Sequence, residues 1–268
     1  MKVVVVTGST RGIGLGLARE FLKSGCRVVV SGRKQADVSR VIDELSVVSG
    51  KENVAGLTCD VSDASQVQVL WDKAFALEGH VDIWVNNAGL GQSTQPAWEV
   101  TPETTRSILR ANVEGTIHGC SVAMRGMMQQ GAGTIYNMEG LGSDGRHISG
   151  LSNYGTSKAA VRYFSQALIL EAKTTPVIIG MLQPGMVMTE MLSQGNVKDP
   201  TEWKQLKTLY NFLGDTVPNV TRWLVKKMLA NGASGKHFKY LNISRMLQHA
   251  FDALFRGRDV MKEALEGK

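Results

Sequence analysis

Two side chains four residues apart, Tyr154 and Lys158, have types and a spacing that could carry out acid–base chemistry. The residues after Tyr154 have an apolar periodicity that predicts a helix, and positions i and i+4 share one helix face. A phenol has a pKa of about 10 and is a poor acid or base at neutral pH. A cation about 4 Å away would favour the phenolate by up to about 4 kcal/mol, or nearly 3 pKa units. The pair is therefore a candidate general acid–base site, and the alternative is an ordinary helix surface.

A glycine-rich loop near the N-terminus could hold the phosphates of a cofactor. The unbroken run Val3 to Val6 predicts a parallel strand buried on both faces, and an amphipathic helix follows the loop and ends at Gly25. Between a strand and a helix, Gly8 permits a tight turn, Gly12 lets backbone N–H groups approach a pyrophosphate, and Gly14 allows close helix–strand packing. The helix N-terminus would supply the anion site, so the pattern predicts a dinucleotide cofactor.

The end of the second predicted strand bears on the choice of cofactor. The strand at 27–31 is followed by Gly32, Arg33 and Lys34, whereas an NAD-binding chain usually has an acid here to hold the ribose 2′-hydroxyl. Arg33, together with Arg11 of the glycine loop, suits a 2′-phosphate through charge-assisted contacts. We therefore expect NADP(H), and the alternative for Arg33 is a solvated loop charge.

Strands and helices alternate along the chain, and no linker or internal repeat interrupts them. Thr101 and Pro102 are typical of a helix start, and the long helix that they open contains Asn112, which needs a hydrogen-bond partner if it is buried. The pattern predicts one α/β domain over residues 1–268, a doubly wound Rossmann-type, mostly parallel sheet with helices on both faces. The later predicted strands are 54–59, 81–85, 134–138 and 177–182.

Composition excludes several function classes. The 268 residues are 43% apolar and 20% charged, as in ordinary globular proteins, and no apolar run reaches the roughly 18 residues that span a bilayer. A strand begins at Lys2, which leaves no room for a signal peptide, and the three cysteines are widely spaced, so we expect a cytoplasmic protein with reduced thiols. The histidines lack metal-ligand spacing. Residues 201–268 hold 12 basic and 6 acidic side chains, an excess too diffuse for a nucleic-acid site.

The motifs together resemble the short-chain dehydrogenase/reductase family. The matching segments are Thr7-Gly8-x3-Gly12-x-Gly14, Asn86-Asn87-Ala88-Gly89, Asn112, Tyr154-x3-Lys158 and Pro184-Gly185, in order and spacing over at least residues 1–190. The resemblance implies Tyr154 as acid–base residue and Lys158 as the group that lowers its pKa and holds the nicotinamide ribose. It also implies that Asn112 ties Lys158 to a proton-relaying water, and that Val187 and Thr189 hold the carboxamide.

The cofactor site that the resemblance and the local patterns predict covers six segments of the chain, with Asp60 and Val61 at the adenine end. Its residues are Gly8, Ser9, Thr10, Arg11, Gly12, Ile13, Gly14, Arg33, Asp60, Val61, Asn87, Ala88, Gly89, Tyr154, Lys158, Pro184, Gly185, Val187 and Thr189. We expect a homodimer or homotetramer.

One departure from the family concerns its catalytic serine. The family usually has this serine three residues after an Asn on the fifth strand, and that position here is Gly140; counting back about thirteen residues from Tyr154 reaches Leu141. The nearest serine is Ser143. The flexible glycines around it could bring it into place, and the alternatives are a loop serine with Tyr154 or a backbone donor polarising the carbonyl.

A narrower resemblance is to the chlorophyll(ide) b reductase branch. It is carried by the segments 135–143, Tyr154 to Lys158 and Pro184 to Leu192. This resemblance implies that NADPH reduces the 7-formyl group of a chlorophyll-type pigment to hydroxymethyl. The alternatives are a general aldehyde or ketone reductase, or a binding protein that kept the nucleotide fold and lost its chemistry.

The C-terminal third is predicted to cover the substrate. Residues 190–240 would form a lid, whose large apolar side chains could stack on a macrocycle or pack as core: Met191, Leu192, Trp203, Leu209, Tyr210 and Phe212. Residues 241–268 form an amphipathic extension with a broad apolar stripe. Such a stripe usually packs on the sheet or on a partner subunit, and peripheral contact with a membrane surface is the alternative.

Overall fold

The computed structural model describes residues 1–189 and 200–266, except for the side chains of 200–206 and 265–266. Its strands are β1 (Val3–Val6), β2 (Arg27–Gly32), β3 (Val54–Thr58), β4 (Ile83–Asn86), β5 (Gly133–Met138), β6 (Val177–Gln183), β7 (Met186–Met188), β8 (Gly214–Thr216) and β9 (His237–Lys239). Its α-helices are α1 (Gly12–Lys23), α2 (Gln35–Ser49), α3 (Ala64–Glu78), α4 (Pro102–Leu109), α5 (Gly115–Gln130), α6 (Ser152–Glu171), α7 (Pro200–Leu213), α8 (Val217–Leu229), α9 (Ile243–Phe255) and α10 (Val260–Glu266).

Seven parallel strands form the central sheet in the order β3-β2-β1-β4-β5-β6-β9. All four valines of β1 are fully buried because helices cover both faces, and this burial explains the unbroken β-branched run. The strand order changes direction between β1 and β4, where open parallel sheets bind ligands at the carboxyl ends of their strands. The predicted fold class is confirmed.

After the first strand, the predicted strand bounds differ from the structure by one or two residues, and three short strands were missed. The fourth strand begins at Ile83 rather than Val81, because the Val81 backbone bonds the Gln130 side chain, with Val81 N donating at 3.1 Å and Gln130 Nε2 donating at 2.8 Å. The strands β7, β8 and β9 were not predicted. Each has three residues, too few to show a periodicity.

Asp215 on β8 contacts side chains from several segments of the C-terminal part of the chain. Its carboxylate accepts hydrogen bonds from Tyr240 Oη at 2.6 Å and Asn219 Nδ2 at 2.8 Å, and it lies 3.4 Å from His249 Nε2 and 3.7 Å from Arg258. Burial raises the pKa of Asp215, but the hydrogen bonds from His249, Tyr240, Asn219 and a backbone amide outweigh it and hold the pKa below its usual range. The cluster therefore contains a charged carboxylate at neutral pH.

Of the side chains predicted to form the lid, one described side chain is buried in a core and another is exposed. Tyr210 is buried and belongs to a small core with Met188, Val260 and Met261, whereas Leu209 is exposed. Residues 190–199 lie outside the described residues, and so does the side chain of Trp203, so the stacking hypothesis stays a prediction.

The helix α9 exposes its apolar stripe rather than packing it on the sheet. The exposed fractions are 77% for Ile243, 67% for Leu247, 67% for Leu254 and 72% for Phe255, and the buried residue of this helix is His249. Packing on the sheet is therefore not the role of this stripe, and a partner subunit and a membrane surface remain predictions. Within residues 1–189 and 200–266, the helices are too short or too polar to cross a bilayer.

Candidate active site

Helix α6 carries Tyr154 and Lys158, and a loop from β4 fixes its first turn. Gln92 Oε1 accepts a hydrogen bond from Tyr154 N at 3.0 Å, and Gln92 Nε2 donates to Gly150 O at 2.9 Å. Lys158 is buried; its Nζ donates to Met138 O at 3.1 Å and lies 5.9 Å from the centroid of the Tyr154 ring. The two side chains therefore share one helix face at the carboxyl end of β5.

Burial is the main cause of the pKa shifts of Tyr154 and Lys158. It raises the pKa of Tyr154 to about 12. It lowers the pKa of Lys158 to about 8, although the negative charge of Glu139 opposes this shift. The expected lowering of the Tyr154 pKa does not occur in this arrangement, because burial disfavours the charged phenolate. Tyr154 is thus protonated at neutral pH, as an acid that delivers a proton must be.

Asn112 lies in a π-helical segment, Arg110–Glu114, that interrupts the single long helix expected from the sequence. The side chain is fully buried and satisfied. Its Oδ1 accepts from Leu90 N at 2.7 Å, and its Nδ2 donates to Leu90 O at 3.0 Å and Ser157 Oγ at 2.9 Å. A Cβ atom on Gly89 would lie 3.0 Å from Asn112 Oδ1 and 3.7 Å from Lys158 Nζ. Asn112 therefore reaches the neighbourhood of Lys158, and its role in a water relay stays a prediction.

The glycine loop has the shape that a pyrophosphate requires. Gly8 has φ of 61°, and a Cβ there would lie 2.7 Å from Ala88 Cα. A Cβ on Gly14 would lie 2.4 Å from the Gly8 carbonyl oxygen. Arg11, the N-cap of α1, makes no side-chain capping bond, and the first turn contains no acidic residue. The first N–H groups of α1 are therefore available to an anion, so these residues fit a dinucleotide.

Thr7 and Asn87 hold this loop against the end of β4. Thr7 Oγ1 accepts from Asn87 N and Ala88 N, both at 3.0 Å, and Asn87 Nδ2 donates to Thr7 O at 2.9 Å and Gly8 O at 3.2 Å. Asn87 thus acts in this structure by shaping the loop. Sequence reasoning assigned no role to Thr7, although its place before the first glycine, at the end of a buried strand, was a signal for one.

Comparison with known proteins identifies the chain. The family model described as short chain dehydrogenase matches residues 2–200. The chain belongs to the short-chain dehydrogenase family. The predicted family resemblance is confirmed.

Relatives of this short-chain dehydrogenase include two plant proteins. A probable chlorophyll(ide) b reductase of the Arabidopsis thaliana chloroplast is 35% identical over 91% of this chain and 51% of its own length. A chloroplast chlorophyll(ide) b reductase of Oryza sativa subsp. japonica is 34% identical over 85% of this chain and 66% of its own length. The solved structure of ElxO with NADP bound has a TM-score of 0.77 and 25% identity over 89% of this chain and 96% of that one. The chain spans about half the length of the Arabidopsis relative.

In this short-chain dehydrogenase, Tyr154 Oη packs against Gly140, one of the two positions expected for the family's serine. A Cβ on Gly140, three residues after Asn137, would lie 2.3 Å from Tyr154 Oη and 3.1 Å from Lys158 Cγ. Ser143 is buried, and its hydroxyl donates to Glu139 Oε2 at 3.0 Å. A hydroxyl has one proton, so in this arrangement Ser143 cannot also donate to a substrate carbonyl.

The residue before Arg33 packs on the glycine loop, since a Cβ on Gly32 would lie 2.6 Å from Thr10 Cγ2. Arg33 and Arg11 are exposed, and Arg40, which the sequence analysis did not assign, donates to Thr10 O at 3.3 Å.

A Cβ on Gly12 would lie 3.5 Å from Thr189 Cγ2. Thr189, which is predicted to hold the carboxamide, thus lies beside the glycine loop.

The adenine-end residues are held by local hydrogen bonds. Asp60 Oδ1 accepts from Ser62 N at 3.0 Å and Ser62 Oγ at 2.8 Å, and Val61 O contacts His118 Nδ1 at 3.0 Å. These contacts fix the turn after β3 at the carboxyl edge of the sheet. The contact of Asp60 and Val61 with adenine stays a prediction.

Proposed function

We propose that this chain is an NADP(H)-dependent oxidoreductase that reduces a carbonyl group to an alcohol. The observation that carries the proposal is the placement of Tyr154 beside a buried Lys158, at the sheet edge that also holds the glycine loop and the uncapped start of α1. The NADP in the ElxO structure supports the cofactor assignment. The names of the plant relatives support reduction as the direction.

When bound, NADPH supplies the hydride that the carbonyl carbon accepts. Tyr154 Oη donates its proton to the carbonyl oxygen, which completes the alcohol and leaves a phenolate. Lys158, protonated below a pKa of about 8, stabilises this phenolate because the two side chains share one desolvated face. Gln92 accepts a hydrogen bond from the Tyr154 backbone amide and Asn112 donates to the Ser157 hydroxyl, so this turn of the helix is fixed before the substrate binds.

For the substrate we propose a formyl-bearing tetrapyrrole of the chlorophyll(ide) b type. The support is the 35% identity to the Arabidopsis reductase and the matching segments around Glu139, Tyr154 and Pro184. A general aldehyde or ketone reductase is the second candidate. The absence of serine at position 140 motivates the third, a nucleotide-binding protein without turnover.

One assay separates these three functions. Purified protein is mixed with NADPH and chlorophyllide b, and the visible spectrum is followed for loss of the formyl-bearing chromophore. Parallel reactions contain small aldehydes and ketones, with NADPH oxidation as the readout. An unchanged chlorophyllide spectrum with rapid aldehyde reduction would select the general reductase, and tight NADPH binding without any turnover would select the sensor.

The cofactor choice gives a prediction for Arg33. Arg33→Asp should weaken NADPH binding by about tenfold or more, because a lost charge-assisted contact costs roughly 1.5–3 kcal/mol. NADH binding should change little, since it lacks the 2′-phosphate. Fluorescence titration with both cofactors measures the two Kd values, and Lys51→Asp, a charge reversal in the loop after α2, is the matched control. Equal wild-type affinities for NADPH and NADH would refute the assignment.

The role of Ser143 is testable by Ser143→Ala. If the serine leaves Glu139 and polarises the carbonyl, kcat should fall by about two orders of magnitude, the effect of one lost oxyanion donor, with NADPH affinity preserved. If the hydroxyl stays on Glu139 during the reaction, kcat should stay within a few-fold of wild type. Steady-state kinetics with saturating NADPH distinguish the two results.

A further inference from the structure

Glu139 is a fully buried carboxylate next to the catalytic pair, and the mechanism above does not use it. The residue follows Met138, whose carbonyl oxygen accepts the hydrogen bond from Lys158 Nζ. Its own amide continues the sheet by donating to Leu182 O at 2.8 Å, and its side chain has no exposed surface. A buried charge of this kind is costly unless other groups compensate for it.

The partners of Glu139 come from three elements and satisfy it incompletely. Oε2 accepts from Ser143 Oγ at 3.0 Å in the loop after β5, and lies 3.1 Å from His237 Nε2 on β9 and 3.7 Å from Arg162 on α6. The other oxygen, Oε1, has no hydrogen-bond partner among the described residues. A carboxylate that served only packing would be more stable with both oxygens bonded. Its remaining charge acts on the surroundings, and Lys158 is one of the groups that it affects.

Lys158 has ionisable neighbours on its own helix and on the segment after β5 that influence its protonation. Tyr154, Lys158 and Arg162 follow one another at intervals of four on the same face of α6. Gly140, the neighbour of Glu139, packs directly on the lysine stem, because a Cβ there would lie 3.1 Å from Lys158 Cγ and 3.2 Å from Lys158 Cε. Desolvation disfavours the ammonium, and Glu139 is the group that opposes this effect.

We propose that Glu139 is a positioning residue of the reductase, whose buried negative charge keeps Lys158 protonated so that the Tyr154 phenolate is stabilised as it forms. Glu139 touches neither the substrate nor the reacting atoms. Arg162 limits its effect, because a cation that pairs with the carboxylate reduces the field that reaches Lys158. The proposal rests on the proposed function only for its catalytic consequence, since the charge of Lys158 is a property of the protein itself.

The direct test is the titration of Lys158 in the full chain. The ammonium of Lys158 is followed by NMR of 15N-lysine-labelled protein, with its signal assigned by its loss in Lys158→Met. We expect a midpoint near pH 8 in the wild type. In Glu139→Gln, which keeps an acceptor for Ser143 and removes the charge, we expect a midpoint lower by about one unit. An unchanged midpoint in folded Glu139→Gln overturns the proposal.

The pH dependence of kcat is a second readout, because loss of packing alone would not shift it to lower pH. The kcat of reduction should fall as pH rises through the pKa of Lys158, because the neutral amine no longer stabilises the phenolate. In Glu139→Gln this fall should occur about one pH unit lower. The matched control is Glu20→Gln, which removes a buried carboxylate of α1 paired with Lys23 and Arg222. The control should leave the pH profile unchanged, even if it lowers Tm.

A second variant should shift the Lys158 midpoint in the opposite direction, and it tests the proposal if Glu139→Gln does not fold. Arg162→Met removes a cation that lies 3.7 Å from Glu139, so the carboxylate acts on Lys158 with less compensation. The Lys158 midpoint should move upward. A downward shift or no shift overturns the proposal, because loss of packing alone would not distinguish the two variants by sign. If no carbonyl is reduced by the wild type, the proposed function fails, and the NMR titration still decides the role of Glu139.

Discussion

Tyr154→Phe should lower the kcat of carbonyl reduction by about 10²–10⁴-fold, the usual contribution of a positioned general acid. The substitution removes the proton donor and keeps both the ring beside Lys158 and the backbone hydrogen bond to Gln92. The measurement is NADPH oxidation at saturating carbonyl substrate, beside the Kd of NADPH by fluorescence titration. We expect the Kd to stay within a few-fold of wild type, so that the loss is in the chemical step.

The matched control for this prediction is Tyr163→Phe. Tyr163 lies on the same helix, and 78% of it is exposed, so loss of its hydroxyl should change neither kcat nor Kd. If Tyr154→Phe retained most of the wild-type rate, another group would have to protonate the oxygen. The Lys158 ammonium would then be the nearest candidate, and the proposed division of roles would be wrong.

The residues of the site could be predicted from the sequence where the chemistry depends on local spacing. The interval from Tyr154 to Lys158 defines one helix face, and the positions of Gly8 and Gly14 define a turn with backbone in close contact. These relations extend over a few residues, so the sequence contains all the information that they need. The same holds for Thr101, whose side chain accepts from Thr104 N at 3.2 Å as an N-cap should.

Relations between distant segments could not be predicted in this way. Glu139 meets Arg162 and His237 because β5, α6 and β9 pack together, and a glutamate after a strand is more often solvated. The π-helical segment around Asn112 depends on the bonds of Asn112 to Leu90, 22 residues earlier. The apolar stripe of α9 was predicted as a pattern, but periodicity alone does not reveal which surface covers it.

Gly140→Ala should lower kcat by about 10²-fold or more while the fold and NADPH binding are largely kept. A Cβ at this position would lie 2.3 Å from Tyr154 Oη, whereas real Cβ contacts are longer than 3.0 Å. The clashing atom is the end of a side chain, so a tilt of the Tyr154 ring relieves the clash at little cost in stability. The hydroxyl then moves away from its productive position, and a displacement of about 1 Å can cost 10²-fold in rate.

Two further variants show whether this loss comes from the hydroxyl's position. Gly232→Ala is the control, because its Cβ meets no atom within 4 Å. Gly140→Ser has the same Cβ but adds the hydroxyl that the family usually has at this place. If crowding of Tyr154 dominates, the serine variant should be as slow as the alanine variant, with Tm near the wild-type value in both. A serine variant faster than the wild type would mean that Tyr154 moves aside without loss, and that the chain lacks an oxyanion donor which the family's serine supplies.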